Sequence, residues 1–339
     1  MASFITMTRE MTAADNQLGS KQDITFEYQD ETQWIGAIMD GHGNKMAKNH
    51  YSLKYEKHNF CVEAIKQLKQ DGQLRDILSA PISSEMNPAI LLQQALGNEA
   101  IKYQTGMLET GATLALVQIR HIEDKIKVST LSVGDSTIMI HCNGEVVYET
   151  TPHDSSNQAE LDRLVEEGRF RDPNDKLFDG NSFEFMDDSY IISRIGKYIN
   201  TMKITLAMTQ SIGHLEYSTK DKSIVDPLGA LGLYPEIHEF EFADTDDINI
   251  KAFSDGVSDM VNRETIPTDT GFLVTSDAQE TVDFATSRWK KEWKYCNRDD
   301  YENGKDNKET INSKPFMFGP NGMDDVSCIC WKQCLAQNE

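Results

Sequence analysis

The chain has 339 residues and a formal net charge of -22 at pH 7, and 39% of its residues are hydrophobic. This composition allows a sizeable core, and the length suits one large domain with insertions, with two domains as the alternative. Because phosphate groups would repel so acidic a chain, the charge argues against a general nucleic-acid binder and against anionic membrane surfaces. Two compatible interpretations remain, namely a solubilising acidic surface and carboxylates that gather to hold divalent cations.

The six cysteines contain no C-x-x-C pair, so neither a zinc site nor a disulfide framework is indicated. Reduced thiols in a cytoplasmic protein fit best, with a nuclear location as the alternative. Cys328 and Cys330 alternate on a predicted strand, and we expect them to pack in the core. No signal peptide and no apolar run of membrane-spanning length is visible.

The first thirty residues predict a loop or edge strand, a turn and a second strand. The apolar run 34–39 then predicts a buried strand, which ends in Asp40-Gly41-His42-Gly43. The glycines permit a tight turn, Asp40 offers a hard oxygen ligand and His42 offers a titratable group. Asp-Gly is also a common turn dipeptide, so this motif alone is evenly balanced between a functional site and a turn.

Apolar residues at helical spacing predict a helix from Phe60 to about Asp71 and another from Pro88, capped by Asn87. We expect these two helices to cover a sheet. From Thr110 to Tyr148 the apolar period changes to two, which predicts four strands in an antiparallel meander.

The turn Gly134-Asp135-Ser136 interrupts that meander and presents a second carboxylate. A lone GDS is weak evidence of function, because turns commonly contain these residues. Further along the chain, a capped helix is predicted to end at Gly168. Polar insertions are predicted near 169–190, 217–226 and 297–314, and the first is interpreted as an irregular loop. They are better explained as tolerated surface segments than as substrate selectors.

Two later strands also meet carboxylates. The strand 249–253 runs into Asp255-Gly256, and the last strand, 326–331, follows Asp324-Asp325. Between them, a helix carries an apolar stripe that includes Trp289 and Trp293, which we assign to the core. Carboxylates gathered at one sheet edge suit Mg²⁺ or Mn²⁺, and a pair of such ions can activate a water for phosphoryl transfer. The spacing alone supports only the hypothesis that these aspartates converge.

There is no Walker-type phosphate loop, G-x-S-x-G or H-E-x-x-H motif, so kinase-like, serine-hydrolase and zincin functions lack their signatures. What the chain does contain, in this order, is DGHG, TGATLA, GDS, TTPHD, LAMTQSIG, SDGVSD and DDVS, between about residues 7 and 331. This series resembles the metal-dependent serine/threonine protein phosphatases, the PPM or type 2C class.

The resemblance implies a single α+β domain over 1–339, a four-layer α-β-β-α sandwich in which two central antiparallel sheets are flanked by helices. It also implies two Mg²⁺ or Mn²⁺ ions at one end of the sandwich. By family position, Asp40 bridges the two ions, the Gly41 carbonyl binds one of them, and Asp255 and Asp324 complete the first ion's shell.

The resemblance further implies that Asp135 and Asp259 match a third, weaker metal position and that His42 protonates the leaving oxygen. Arg9 matches the arginine that binds the substrate phosphate, and Asp15 matches an aspartate that supports the second metal. Several positions depart from the family pattern, and the second metal is expected to bind weakly. The departing residues are Ala14, in place of a metal-binding glutamate, and Asn44, Gln210, His214 and Ser258.

The implied function is hydrolysis of phosphoserine and phosphothreonine in proteins by direct attack of water, without a phosphoenzyme. The alternative is a catalytically impaired pseudophosphatase that acts as a regulatory binding or scaffold protein, as the missing glutamate and the TQSIGH segment suggest. A third interpretation takes every Asp-Gly as a mere turn. The expected partner is a phosphoprotein substrate, the chain is expected to be a monomer, and its acidic insertions suggest a preference for basic phosphopeptides.

Overall fold

A computed structural model describes most of the chain. The described residues are 7–43, 45–48, 55–82, 85–154, 156–166, 176–185, 190–200, 205–225, 233–261, 267–296, 315–320 and 322–335. Within these residues, no helix is long and apolar enough to cross a membrane.

The helices are α1 (Phe60–Gln70), α2 (Gln73–Leu78), α3 (Pro88–Tyr103), α4 (Gln158–Glu166), α5 (Asp255–Ser258), α6 (Pro267–Thr275) and α7 (Ala278–Trp289). The strands are β1 (Met7–Asn16), β2 (Ile24–Gln29), β3 (Gln33–Met39), β4 (Gly41–His42), β5 (Lys45–Lys48), β6 (Tyr55–His58), β7 (Gly111–Ala112), β8 (Leu114–Ile122), β9 (Lys125–Val133), β10 (Thr137–Cys142), β11 (Glu145–Glu149), β12 (Lys176–Phe185), β13 (Tyr190–Asn200), β14 (Thr205–Leu206), β15 (Ile212–Gly213), β16 (Glu216–Ser218), β17 (Ser223–Val225), β18 (Glu236–Ala243), β19 (Ile248–Phe253), β20 (Trp293–Cys296), β21 (Pro315–Phe316) and β22 (Val326–Leu335).

Two antiparallel five-stranded sheets form the centre of the fold. Sheet I has the order β1-β22-β19-β10-β11, and sheet II has the order β18-β9-β8-β3-β2. The inner faces of both sheets form one apolar cluster, in which Trp34 and Ile38 of sheet II meet Ile250 and Trp331 of sheet I. The sheets therefore pack face to face.

Each sheet also has an apolar outer face, because side chains alternate along a strand. On β3, Ile35 and Met39 point away from Trp34 and Ile38, and they pack in the cluster that contains α1, α2 and α3. On β22, Cys328 and Cys330 pack in the cluster that contains α7. The order of layers is helices, sheet, sheet, helices, which confirms the expected α+β architecture and the core assignment of the two cysteines.

The covering helices begin where the sequence indicates. The side chain of Asn59 accepts a hydrogen bond from the Val62 amide at the start of α1, and Asn87 does the same for Ile90 in α3. At the start of α7, Asp277 and Glu280 form a reciprocal capping box. The short helix α2 was not predicted, because it follows α1 after only two residues.

Several expectations about the strands were wrong. The predicted four-stranded meander is two hairpins in different sheets, since the turn at 134–136 carries the chain from β9 in sheet II to β10 in sheet I. Residues 176–185, expected to be an irregular loop, form strand β12 and pair with β13 along their whole length. The sequences of these strands show no regular period-two alternation, so the polar composition gave no signal of a strand.

Part of the second predicted insertion is also structured, since β16 pairs with β17 between residues 216 and 225. The insertion predicted at 297–314 lies outside the described residues. The LAMTQSIG motif carries two short strands, β14 and β15, near its ends.

Candidate active site

Three of the sequence motifs are joined by hydrogen bonds at the end of β3. The amide of Asp40 donates to the hydroxyl of Thr113 at 3.0 Å, and the Thr113 amide donates back to the Asp40 carbonyl at 2.8 Å. The same Thr113 hydroxyl lies 2.7 Å from the hydroxyl of Ser136 in a buried pair. DGHG, TGATLA and GDS therefore form one rigid unit, which fixes the backbone from which Asp40 projects.

A second junction brings the strand ends of sheet I together. The Ser254 amide donates to the Ser327 carbonyl at 3.1 Å, and the Ser327 amide donates to the Ser254 hydroxyl at 3.0 Å. A Cβ at Gly256 would lie 2.0 Å from the Asp325 carbonyl oxygen, so only glycine allows this close approach. Asp255 and Asp324 are consequently held next to each other.

Five aspartates converge at this end of the sandwich, and burial is the first cause of the raised pKa in four of them. The pKa of Asp324 is raised to about 9 by burial and then by Asp255, and the pKa of Asp23 is raised to about 7. Burial followed by Asp23 and Asp255 raises the pKa of Asp40 well above its ordinary value. The pKa of Asp135 is also raised by burial and by Asp255. Asp255 acts on all four of the others and therefore lies at the centre of the cluster.

The carboxylate cluster is incompletely satisfied within the described residues. Both carboxylate oxygens of Asp23, and one oxygen each of Asp135 and Asp255, are buried without a hydrogen-bond partner. Buried like charges of this kind must either take up protons or bind a cation. The donor set consists of hard oxygens, so it fits Mg²⁺ or Mn²⁺ rather than a thiolate-seeking metal.

As the side chains stand, no group of three described His, Cys, Asp or Glu residues is arranged to hold a metal ion. Binding an ion therefore requires the carboxylates to turn toward one another.

Asp23 was missed by the sequence analysis. It precedes β2, and its position is set by the buried carboxylate of Asp325, which accepts hydrogen bonds from the amides of Gly19 at 2.7 Å and Gln22 at 2.8 Å. The signal that could have found it is the one used for Asp324, namely a carboxylate directly before an apolar strand. Through these hydrogen bonds, Asp325 holds the segment 19–22 in place.

Asp15, the predicted metal-supporting residue, lies beside the cluster and not within it. It is exposed on β1 opposite Ser327, and it is not among the principal charges that raise the pKa values of the cluster. Its neighbour Ala14 packs in the apolar layer beneath α7. We expected Ala14 and Asp15 to occupy the positions of the family's metal-binding glutamate and its neighbouring aspartate. The structure places Gln22 and Asp23 at the site instead.

Gln22 places a neutral amide beside the Gly41 carbonyl, the predicted backbone metal ligand. With its amide turned so that nitrogen faces that carbonyl, Gln22 donates to it over 2.9 Å. An amide brings no negative charge, so this side of the cluster is less attractive to a cation than a carboxylate would make it.

Arg9, the predicted phosphate-binding residue, lies at the opposite end of sheet I. Its Nε donates to Gln333 at 2.7 Å, and its guanidinium also pairs with Asp244. In the β1 and β22 register, Arg9 is seven residues from Asn16, which faces Val326 near the cluster. At roughly 3.3 Å per residue, the separation along the strand is about 23 Å. The expectation for Arg9 is therefore wrong.

Asp135 and Asp259, the predicted third-metal residues, lie on the same side of the cluster. Asp259 ends α5 and is exposed, and its charge raises the pKa of both Asp135 and Asp324. The structure thus brings together the aspartates at 40, 135, 255, 259 and 324 and leaves Asp15 and Arg9 outside.

His42 is held in a pair with His214. Their rings stack with centroids 5.1 Å apart, and the two Nε2 atoms are 2.9 Å apart. Burial and then the neighbouring His214 lower the pKa of His42 well below its ordinary value, and burial lowers the pKa of His214 to about 4. A Cβ at Gly111 would lie within 2.6 Å of both Nε2 atoms, so glycine is needed there.

The protons of this pair follow from its contacts. His214 Nδ1 lies 2.8 Å from the Leu108 carbonyl, which only accepts, so Nδ1 carries the proton and Nε2 holds a lone pair. The proton between the two rings must then sit on His42 Nε2, which also lies 2.9 Å from the Ser211 hydroxyl, and that hydroxyl can donate instead to the Ile212 carbonyl at 2.9 Å. That leaves His42 Nδ1, which is buried and has no hydrogen-bond partner among the described residues, as the free position of the ring.

Comparisons with known proteins identify the family of the chain. The model of the family Protein phosphatase 2C matches residues 6–270, and the chain belongs to that family. Human Protein phosphatase 1B is 22% identical over 235 residues, which are 67% of this chain but only 41% of the relative.

Among solved structures, a C. elegans sex determining protein aligns over 97% of this chain and 65% of its own, with 14% identity and a TM-score of 0.53, which supports the fold. A serine/threonine phosphatase of S. agalactiae aligns over 96% of this chain and 99% of its own, with 16% identity and a TM-score of 0.46.

Proposed function

We propose that the chain is a divalent-metal-dependent phosphomonoesterase that removes phosphate from serine and threonine residues of proteins. The observation that carries this proposal is the set of buried, incompletely satisfied aspartates around Asp255, in a member of the protein phosphatase 2C family. A bound pair of Mg²⁺ or Mn²⁺ ions would polarise the phosphoryl oxygens and lower the pKa of water at the site. No covalent phosphoenzyme is proposed.

The residues proposed to hold the ions are those at the centre of the cluster. Asp40 and Asp255 contribute carboxylates to a shared site, together with Asp324 and the Gly41 carbonyl. Asp23 takes the role first expected of Asp15, and Gln22 makes the second site the weaker one. The remaining pair, Asp135 and Asp259, is proposed to hold a third ion.

His42 is proposed to deliver the proton to the leaving serine or threonine oxygen. His214 accepts from Nε2 and orients the ring, so the transferred proton is carried at Nδ1. Because burial and His214 lower the pKa of His42, the ring is a stronger acid when it is protonated, but it carries the extra proton less often at neutral pH.

The test is hydrolysis of p-nitrophenyl phosphate and of a phosphothreonine peptide while Mn²⁺ and Mg²⁺ are titrated from zero. Asp255→Asn should lower kcat/KM by about a hundredfold or more, equivalent to roughly 3 kcal/mol. Asp283→Asn, on the exposed face of α7, is the matched control and should retain activity.

Calorimetric titration with Mn²⁺ gives a second readout that does not depend on turnover. Metal-independent hydrolysis, or equal activity in Asp255→Asn, would refute the proposal. Folded protein that binds Mn²⁺ but shows no turnover at saturation would favour the pseudophosphatase.

A further inference from the structure

Three lysines line a groove beside the carboxylate cluster, in a chain that is otherwise strongly acidic. It has a volume of about 690 Å³ and lies between α1 and the segment that leads into β2. Lys21, Lys66 and Lys69 line it, and Asp23 of the cluster lines it as well. We call it the lysine groove.

Close carboxylates neutralise these lysines only in part, since Lys66 alone forms a long ion pair, with Glu63. Lys69 donates to the Thr25 carbonyl at 2.6 Å, and Lys66 lies 3.4 Å from the Lys21 carbonyl. The described residues place no carboxylate within 4.0 Å of the ammonium groups of Lys21 or Lys69, and Lys66 reaches Glu63 only at 3.9 Å. Carbonyl contacts leave the full charge of each ammonium group in place.

Two acidic residues also line the groove, but its three lysines outnumber them. Asp15 is exposed on the β1 side of the groove, and Asp23 belongs to the carboxylate cluster. A concave surface with three cations is a local exception in a chain of net charge -22. Such a surface concentrates anionic groups and repels cationic ones.

The groove adjoins the site, because Asp23, whose carboxylate is buried in the cluster, also lines the groove. Lys21 and Asp23 are two positions apart, which corresponds to about 7 Å of extended chain. A phosphorylated residue placed at the cluster would therefore leave its neighbours in the peptide within reach of the lysines.

We propose that the lysine groove binds acidic side chains flanking the phosphorylated residue, so that the enzyme prefers acidic phosphopeptides. This inference rests on the proposed phosphatase function and adds a substrate class to it. It also reverses the expectation, drawn from the acidic insertions, of a preference for basic phosphopeptides. The lysines next to the site should determine the peptide preference more than the acidic insertions do, because electrostatic effects decay within about 8 Å at physiological salt.

The experiment compares kcat/KM on three phosphothreonine peptides of equal length whose flanking residues are Asp, Asn or Lys. Wild-type protein should prefer the Asp peptide over the Lys peptide by about tenfold, since several partly exposed ion pairs each contribute modestly. This preference should shrink as NaCl is raised to 0.5 M.

Two double variants separate charge from structure. Lys66→Glu/Lys69→Glu should reverse the order of the peptides, and Lys66→Gln/Lys69→Gln should remove the preference without reversing it. Lys127→Glu/Lys290→Glu changes the net charge equally at exposed positions elsewhere and should keep the wild-type order. Equal rates on all three wild-type peptides, or the same change in the control, would overturn the proposal.

Separate measurements can refute the proposed role of the groove and the proposed phosphatase function. Turnover of p-nitrophenyl phosphate by wild-type protein tests the phosphatase function alone, because that substrate has no flanking residues. Binding of the three peptides to Asp255→Asn protein, measured by calorimetry, tests the groove without turnover. Tighter binding of the Asp peptide supports the groove, and equal binding of all three refutes it.

Discussion

His42 depends on His214 for the position of its proton. The 2.9 Å contact between the two Nε2 atoms needs a hydrogen, and the bond from His214 Nδ1 to Leu108 leaves only His42 Nε2 to supply it. In the proposed reaction, His214 would therefore be a positioning residue that acts through His42 on the leaving group.

Replacing His214 should affect substrates according to their leaving groups. His214→Ala should lower kcat on a phosphothreonine peptide by on the order of 10- to 100-fold, because general acid catalysis of this size depends on a correctly placed donor. Hydrolysis of p-nitrophenyl phosphate should change little, since its phenolate leaves without a proton. Steady-state kinetics with both substrates measures the difference, and His214→Gln, which retains a hydrogen-bonding group, should recover part of the loss. An equal loss on both substrates would contradict the role.

Arg9 should be dispensable for substrate binding, because it pairs with Asp244 and Gln333 at the far end of sheet I. Arg9→Ala should leave KM for the phosphothreonine peptide unchanged and cost less than about 1 kcal/mol of stability, as is usual for an exposed pair. Peptide kinetics and urea unfolding check the two parts. A tenfold rise in KM would show that Arg9 reaches the phosphate after all.

At the scale of elements, the site is made where strand ends are tied to neighbouring segments. The ends of β3 and β19 and the start of β22 each carry an aspartate, and hydrogen bonds through Thr113 and Ser254 join these ends. The segment before β2 is tied in by the buried carboxylate of Asp325. The packing of whole elements thus sets the spacing of the carboxylates.

Loss of the hydrogen bonds from the segment 19–22 to Asp325 should let Asp23 move away from the cluster. Asp325→Asn leaves at most one acceptor oxygen for the amides of Gly19 and Gln22, and we expect it to cost about 1–3 kcal/mol, as for other buried hydrogen bonds to a charged group. It should also weaken Mn²⁺ binding. Urea unfolding and calorimetry measure these effects.

Asp30→Asn is the matched control for this change. Asp30 accepts from Thr32 and Gln33 in an exposed turn at the other end of β2, so its replacement should leave Mn²⁺ affinity unaltered. Similar losses of affinity in both variants would show that Asp325 has no special connection to the metal site.

At the scale of the whole molecule, the carboxylate cluster makes stability depend on pH and on metal. The pKa of Asp23 rises from 3.8 to about 7 and that of Asp324 from 3.8 to about 9 on folding, chiefly through burial. The folded state therefore binds these protons more tightly than the unfolded state. Their contribution favours folding at low pH and is lost progressively as pH rises from about 4 to about 9.

Metal-free protein should accordingly unfold at lower urea concentration at pH 9 than at pH 5, and Mn²⁺ should raise the midpoint most at the higher pH. Asp23→Asn/Asp324→Asn protein should show a flatter pH dependence without metal, because two of the titrating groups are gone. Urea denaturation at pH 5, 7 and 9, with chelator or with Mn²⁺, provides the data. A pH profile that is the same in the variant and the wild type would contradict this account.

The sequence by itself determined the local structure and most of the chemistry. Period-two apolar stretches identified the central strands, Asn87 marked a helix start, and Asp-Gly after a buried strand located Asp40 and Asp255. These signals are readable because they depend on neighbouring residues along the chain. The order of the motifs supplied the fold class.

Only the tertiary structure decided which distant residues meet. From the sequence, we assigned the family's glutamate and aspartate positions to residues 14 and 15. In the structure, the strand register places Arg9 at the far end of sheet I, and hydrogen bonds to Asp325 place Asp23 at the site. The pairing of His42 with His214 spans 172 positions, and no local pattern encodes such a contact. The physical reason is that register and sheet packing are set by the burial of whole faces, while chemistry at the site depends on a few ångströms between side chains.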